Sequence, residues 1–177
     1  MDDTNAKGEV ATIETIFHIN QGHQITDEEL YITEGEIPVY TGNNEIKGYW
    51  NKTIVEKKDL PCLTYPTKAN AGAVFIQEKI FDANNTAVLI PRKEWRDRIV
   101  LEWFKYKLPN LFLETMTSKG GVSYLNREIV EKIEIVVPDR SRQEKEAEIY
   151  AKLTDKRDKL SKILEQINQL LSKQVVT

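Results

Sequence analysis

The sequence predicts a mixed α/β (α+β) protein: a globular β-rich domain over residues 1–138, followed by a long C-terminal coiled-coil helix over 139–177. Three observations lead there. All 8 Gly and all 6 Pro fall at or before Pro138, so turns are confined to the first part of the chain. That part consists of short apolar or β-branched runs bounded by Gly, Pro and Asn. The remainder has no Gly, Pro or Trp and carries an apolar stripe at heptad spacing.

In chain order, Glu9–Ile19 alternates as a strand does, and Thr26-Asp27-Glu28-Glu29 forms a capping box that opens a short helical turn. Ile37–Tyr40 reads as a strand and Thr41-Gly42-Asn43-Asn44 as a tight turn. Lys52–Val55, Leu60–Tyr65, Ala73–Gln77 and Ala87–Ile90 are further strand candidates. Over Glu94–Lys107 the period changes, with Trp95, Ile99, Trp103 and Tyr106 on one stripe and Val100 and Phe104 beside it. An amphipathic helix requires this pattern, and Pro109 is expected to end it. Gly120-Gly121 makes a turn, Asn126 caps a short helix through Glu131, and Ile133–Val137 is the last strand.

The final helix is expected to begin at the capping box Ser141-Arg142-Gln143-Glu144. Its first heptad core position holds Glu146, Leu153, Leu160, Ile167 and Gln174; its second holds Ile149, Lys156, Ile163 and Leu170. At ~50 Å such a helix outreaches the small domain it leaves, so part of the seam needs a partner. A charged residue such as Lys156 at a core position can set register or choose that partner.

With 177 residues, 40% hydrophobic and 30% charged, the chain can bury one ordinary core and one appended helix, which argues against two full domains or a catalytic barrel. The net charge is −3. Residues 139–177 hold 9 basic and 7 acidic side chains, leaving 16 basic against 21 acidic, or −5, for residues 1–138. Any nucleic-acid contact must therefore come from a local patch. The single cysteine, Cys62, excludes an internal disulfide and a multi-cysteine zinc site. With no basic-then-apolar leader and no apolar span of membrane length, a cytoplasmic protein without membrane contact is expected.

Chemistry-bearing motifs are missing. His18 and His23 do not have the spacing of a helical metal pair and read as solvated or hydrogen-bonding histidines, and no metal site is expected. Cys62, in an apolar strand, reads as a small core residue whose thiol keeps a high pKa. The GxxxxGK(S/T), GxGxxG and GxSxG patterns are absent, as are the glycine loop and Pro-Pro-aromatic motif of a methyltransferase. Pro138-Asp139 is not followed by the Glu-x-Lys of a metal-dependent nuclease, so no catalytic residue is assigned. Three loops rich in Asn, Gly, Thr, Lys and Tyr remain: Thr41–Trp50, Thr67–Gly72 and Thr117–Tyr124. Amides pair with base edges and lysines with phosphates, although the same composition also serves ordinary turns.

Thr41-Gly42 leading to Gly48-Tyr49-Trp50 is followed by Ala71-Gly72-Ala73-Val74-Phe75 and then by a strand ending Leu89-Ile90-Pro91. After these come Gly120-Gly121-Val122-Ser123-Tyr124-Leu125-Asn126, Ile133–Pro138, and Gln143-Glu144 opening a long helix. In this order the chain resembles one half of the specificity subunit of type I restriction-modification systems, a target-recognition domain followed by one spacer helix. The resemblance runs from about Gly8 to the end, and its most specific piece is the final Gly-x-Ser, short helix, Ile-x-x-Pro strand and Gln-Glu helix start.

The resemblance implies a non-catalytic reader of double-stranded DNA with no cofactor of its own. A partner methyltransferase subunit would flip and methylate adenine using S-adenosylmethionine, and a restriction subunit would use ATP. It implies DNA-facing residues Asn43, Asn44, Lys47, Tyr49 and Trp50 in the first loop, Thr67, Lys68 and Asn70 in the second, and Lys119, Ser123 and Tyr124 in the third. Through Ile149, Leu153, Leu160, Ile163, Ile167 and Leu170, the helix would pair antiparallel with another spacer helix and dock the methyltransferase. Family members usually carry two such halves in one chain. A lone half that self-associates would recognise an inverted repeat, and the acidic globular part implies weak, salt-sensitive DNA binding when alone. The rival readings are the recognition domain of a type IIG restriction-methylation enzyme, which an adjoining catalytic region would identify, and a coiled-coil adaptor that does not bind DNA. The adaptor would be indifferent to changes at Asn43, Lys68 and Ser123.

Overall fold

The structure is a computed structural model that describes residues 8–68, 72–119 and 122–174. Its elements are β1 (Glu9–Thr12), α1 (Ile13–Ile16), β2 (Phe17–Gln21), α2 (Asp27–Ile32), β3 (Ile37–Tyr40), β4 (Ile46–Trp50), a 3-10 turn at Lys57–Asp59, β5 (Cys62–Pro66), β6 (Phe75–Gln77), β7 (Asp82–Ala83) and β8 (Thr86–Pro91). They continue with α3 (Leu101–Thr115), β9 (Thr117–Lys119), β10 (Val122–Tyr124), α4 (Arg127–Glu131), β11 (Glu134–Val137) and α5 (Arg140–Gln174).

Antiparallel strands β2-β8-β5-β6 form the central sheet. β8 is buried along its whole length because both faces are covered. Its alternate residues serve two cores, as the two-residue period of a strand demands. Ala87 and Leu89 pack with Leu63, Tyr65, Phe104 and Phe112 beneath α3, whereas Val88 and Ile90 pack with Cys62, Phe81 and Ala83 on the other side. Burial pushes the Cys62 thiol up to about 12, with Asp59 adding to the rise. A smaller sheet, β4-β3-β7, has β3 and β7 parallel, while β1-β11 and β9-β10 are two-stranded. No described helix is long and apolar enough to cross a membrane.

Several boundaries differ from the sequence expectation, each for a physical reason. The expected strand Glu9–Ile19 is broken by α1, which turns both Ile13 and Ile16 fully into the core. On a strand, residues three apart would point to opposite faces. Lys52–Val55 is irregular; Thr53 Oγ1 donates to the carbonyls of Val55 and Phe81, and the strand lies instead at Ile46–Trp50. The helix expected from Glu94 begins at Leu101: the backbone before it makes only isolated turns (Arg96 N to Arg92 O, Ile99 N to Trp95 O), and its other groups bond to α5. Gln143 Oε1 accepts from Val100 N (2.8 Å), Gln143 Nε2 donates to Arg98 O (2.9 Å), and Arg140 donates to Asp97 O and Ile99 O. α3 then runs through Pro109. Leu108 and Phe112 are fully buried on either side of it, with Phe112 4.9 Å from Tyr65, and this packing offsets the ~3 kcal/mol a helical proline costs.

α2 opens on the expected Thr26 capping box, and Asn126 caps α4. α5 starts one residue before Ser141, with Asp139 as the cap, its Oδ1 accepting from Arg142 N at 3.0 Å. Only the first turns of α5 dock. Gln143 and Ala147 are buried, Tyr150 stacks on Tyr106, and every residue from Asp155 to Ser172 is exposed.

Glu146, the first seam position, belongs to this docking. It accepts from Trp103 Nε1 (2.9 Å) and Arg142 Nε (2.9 Å) and pairs with Lys107 Nζ (3.3 Å). Burial works to raise its pKa but is outweighed by these hydrogen bonds, which bring the carboxyl from 4.5 down to about 2. A depressed carboxyl pKa stabilises the fold above the unfolded value and loses that stabilisation as pH falls through the folded one. Between pH 5 and pH 2 the native chain should therefore lose about 2–3 kcal/mol more than Glu146→Gln, read from urea unfolding followed by circular dichroism.

Candidate nucleic-acid interface

Four segments meet at the end of the central sheet where β5 stops. Thr67, just past Pro66, donates to Asn85 O from both its backbone N (3.2 Å) and Oγ1 (3.0 Å). Its carbonyl accepts from Leu125 N (3.1 Å), and Lys68 forms an antiparallel bridge with Tyr124 at the base of the β9-β10 hairpin. These bonds join the second and third sequence loops along one edge. The β3-β4 turn abuts the same place, since a Cβ on Gly42 would lie 2.7 Å from Pro66 Cβ. Within that turn Thr41 Oγ1 accepts from Asn43 N and Glu45 N, and Asn44 takes a left-handed φ of 62°. The fourth segment is the Asn84-Asn85 turn, with Asn85 at φ 53° and its N–H donating to His23 O.

The first two of these segments and the end of β2 line an open groove of about 640 Å³, whose lining includes Gln21, Thr67, Lys68, Tyr124, Asn126 and Arg127. In a domain of net charge −5 this lining holds two cations and no carboxylate. Lys68 is exposed, and Arg127 is held by Glu131 at 2.7 Å. Amide, hydroxyl and phenol groups supply donors and acceptors beside them.

Thr67, Lys68 and Tyr124 thus sit together in the groove, Lys119 and Ser123 lie on the hairpin strands, Asn43 is exposed on the first turn, and Tyr49 is exposed on β4. Asn70 and the Gly120-Gly121 turn lie outside the described residues. Asn44 is half-buried, its Oδ1 accepting from Gln77 Nε2 at 2.5 Å. Two expectations are corrected. Trp50 does not face outward; it is only 6% exposed, packs with Ile25 and Val39, and donates its indole N–H to Asp82 Oδ2 at 2.8 Å. Indole N–H groups usually find such a partner when the ring is buried. Lys47 is committed internally, donating to Ile25 O (2.6 Å) and pairing with Asp27 (3.0 Å), so that it ties α2 to β4. Both sit on β4, in a segment read as loop. Sequence reasoning missed Gln21 and Arg127, although the polar run Gln21-Gly22-His23-Gln24 closing an apolar strand was a usable signal. Among the described residues no cluster of acidic, histidine or cysteine side chains could hold a metal.

Comparison with known proteins agrees with this architecture. The chain is similar in fold to the type I restriction-modification system S subunit from M. genitalium, with a TM-score of 0.63 and 16% identity over 93% of this chain and 44% of that one. A chain from a structural study of the assembly and conformational transition of the type I R-M system gives 0.69, at 14% identity over 90% and 41%. The HsdS subunit from Thermoanaerobacter tengcongensis gives 0.65, at 14% over 88% and 39%. The chain therefore spans less than half the length of these relatives. A search of curated proteins gives no match. Residues 5–169 match the family described as the type I restriction modification DNA specificity domain, a non-catalytic family. With nearly its whole length matched, the chain belongs to the type I restriction modification DNA specificity domain family.

Proposed function

We propose that this chain reads a DNA sequence for a type I restriction-modification complex, directing a partner adenine methyltransferase subunit and a restriction subunit to a bipartite site. The observation that carries this reading is the groove at the end of β5, where Lys68, Thr67 and Tyr124 converge without a carboxylate in an otherwise acidic domain. Its amides and hydroxyls suit base edges, and its cations suit phosphates. Residues 1–138 act as the target-recognition domain, and residues 139–177 as the spacer that pairs and docks the methyltransferase. S-adenosylmethionine and ATP belong to the partner subunits, and the complex works in the cytoplasm, where the DNA is.

Two copies pair antiparallel through α5, using the outward row Ile149, Leu153, Leu160, Ile163, Ile167 and Leu170. Two identical readers related by a two-fold axis recognise an inverted repeat. Co-expression with the methyltransferase subunit, followed by mapping of modified adenines with and without this gene, tests the reading. New methylation at one split inverted-repeat motif is expected. An asymmetric motif would overturn the homodimer, and an active, co-purifying methyltransferase that adds no new methylation would overturn the specificity role.

A further inference from the structure

Asp82 is fully buried, yet its carboxylate is satisfied from three directions. Oδ2 accepts from Trp50 Nε1 (2.8 Å), and Oδ1 accepts from Ala83 N (2.7 Å) and lies 3.0 Å from His23 Nδ1. A carboxylate offers only lone pairs, so the proton of this last bond sits on Nδ1 and the imidazole tautomer is set. The ring is also held against the edge of Trp50, with centroids 5.7 Å apart. Its backbone is pinned, since His23 N donates to Ala83 O (2.8 Å) and His23 O accepts from Asn85 N (2.9 Å). Gly22 before it has no room for a side chain, because a Cβ there would lie 2.1 Å from Thr86 O.

This much fixation serves a ring whose side chain is nevertheless 49% exposed. Among the described residues no hydrogen bond reaches Nε2, so the neutral ring presents a bare acceptor of fixed direction. It does so beside the groove, since Asn85, which bonds His23 O, also receives both donors of Thr67, and Gln21 of the groove lining is two residues away.

Resting on the DNA-reading role above, we infer that His23 is a base-reading residue. Its Nε2 accepts a hydrogen bond from an exocyclic amino group in the major groove, adenine N6 or cytosine N4. Asp82 and Trp50 are positioning residues that fix its tautomer and direction, as outer partners do for other functional histidines. The histidine that sequence reading set aside as solvated or hydrogen-bonding thus does the reading, and the tryptophan that the resemblance placed on the DNA stands behind it.

Two substitutions separate reading from scaffolding. In His23→Asn the amide nitrogen takes the place of Nδ1 and keeps the bond to Asp82, but nothing remains at Nε2. His23→Gln puts its amide where Nε2 was and releases Asp82. The full chain, alone and with the co-expressed methyltransferase subunit, is used at pH 8 to select from a randomised DNA duplex pool, and each protein is melted in parallel. His23→Asn should melt like the native chain but lose its preference at one base-pair position, binding the native sequence roughly 10-fold more weakly. His23→Gln should melt lower and keep a preference there. The reverse pattern, with His23→Asn as selective as the native chain, overturns the inference and leaves His23 a structural tie. If the native chain enriches no sequence at all, the DNA-reading role itself fails, a result distinct from an unchanged variant.

Discussion

Replacing Gln143 with leucine should destabilise the protein by about 4 kcal/mol, a fall in melting temperature of roughly 10 °C for a chain of this size. Gln143 is fully buried and makes three hydrogen bonds, accepting from Val100 N and donating to Arg98 O (2.9 Å) and Pro138 O (2.8 Å). It joins the start of α3, the end of β11 and the first turn of α5. Leucine fills the volume and leaves one backbone N–H and two carbonyls buried without partners, each costing about 1–3 kcal/mol. Gln143→Glu should be no milder, because its carboxylate can still accept from Val100 but must face two carbonyl oxygens with no proton to offer. Thermal melts followed by far-UV circular dichroism, with exchange of the Val100 amide as a local probe, measure both. A loss under 2 °C for either variant would show that water replaces the side chain and that the latch is incidental.

The same residue shows what the sequence made legible and what it did not. Gln143-Glu144 stood out as a family signature at a helix start, but that Gln143 bonds residues more than forty positions away has no local periodicity to announce it. The long helix, β3, β5, β6, β8, β11 and the Thr26 and Asn126 caps were readable, because each rests on spacing or on a cap within three residues. The start of α3, the helical turn inside Glu9–Ile19 and the passage of a helix through Pro109 were not, since each is decided by tertiary partners: Gln143, the core around Ile13 and Ile16, and Tyr65 against Phe112. The candidate site divides the same way. Composition picked out the loops and the family resemblance the residues Thr67, Lys68 and Tyr124 within them, which the Lys68–Tyr124 bridge brings together. That reading misplaced Trp50 and Lys47, because an aromatic and a cation on either side of a glycine look alike whether they face solvent or a buried carboxylate and carbonyl.

Leu160→Asp combined with Ile167→Asp should weaken the proposed α5 pairing by more than roughly 100-fold without changing the fold of the protomer. Leu160 is 61% and Ile167 45% exposed in the single chain, so aspartate at either removes no packing there and should shift protomer stability by no more than about 0.5 kcal/mol. In an antiparallel pair each substitution occurs twice, and a desolvated, unpaired carboxylate costs about 3–5 kcal/mol. Sedimentation at about 10 μM should give twice the chain mass for the native protein and the chain mass for the variant, with unchanged melting of the globular part. Lys156→Leu should act oppositely, tightening association while relaxing register, because it removes the charge that interrupts the apolar seam. A further reading comes from the helix itself. From Asp155 to Ser172 no residue of α5 is covered, and an isolated stretch of about twenty residues is only marginally helical in water. Pairing should therefore slow amide exchange beyond Thr154 in the native protein and leave it fast in the aspartate variant, while the docked turns around Gln143 and Ala147 exchange alike in both. Equal mass and equal exchange for the two proteins would mean that α5 does not pair with itself, and the inverted-repeat expectation would fall with it.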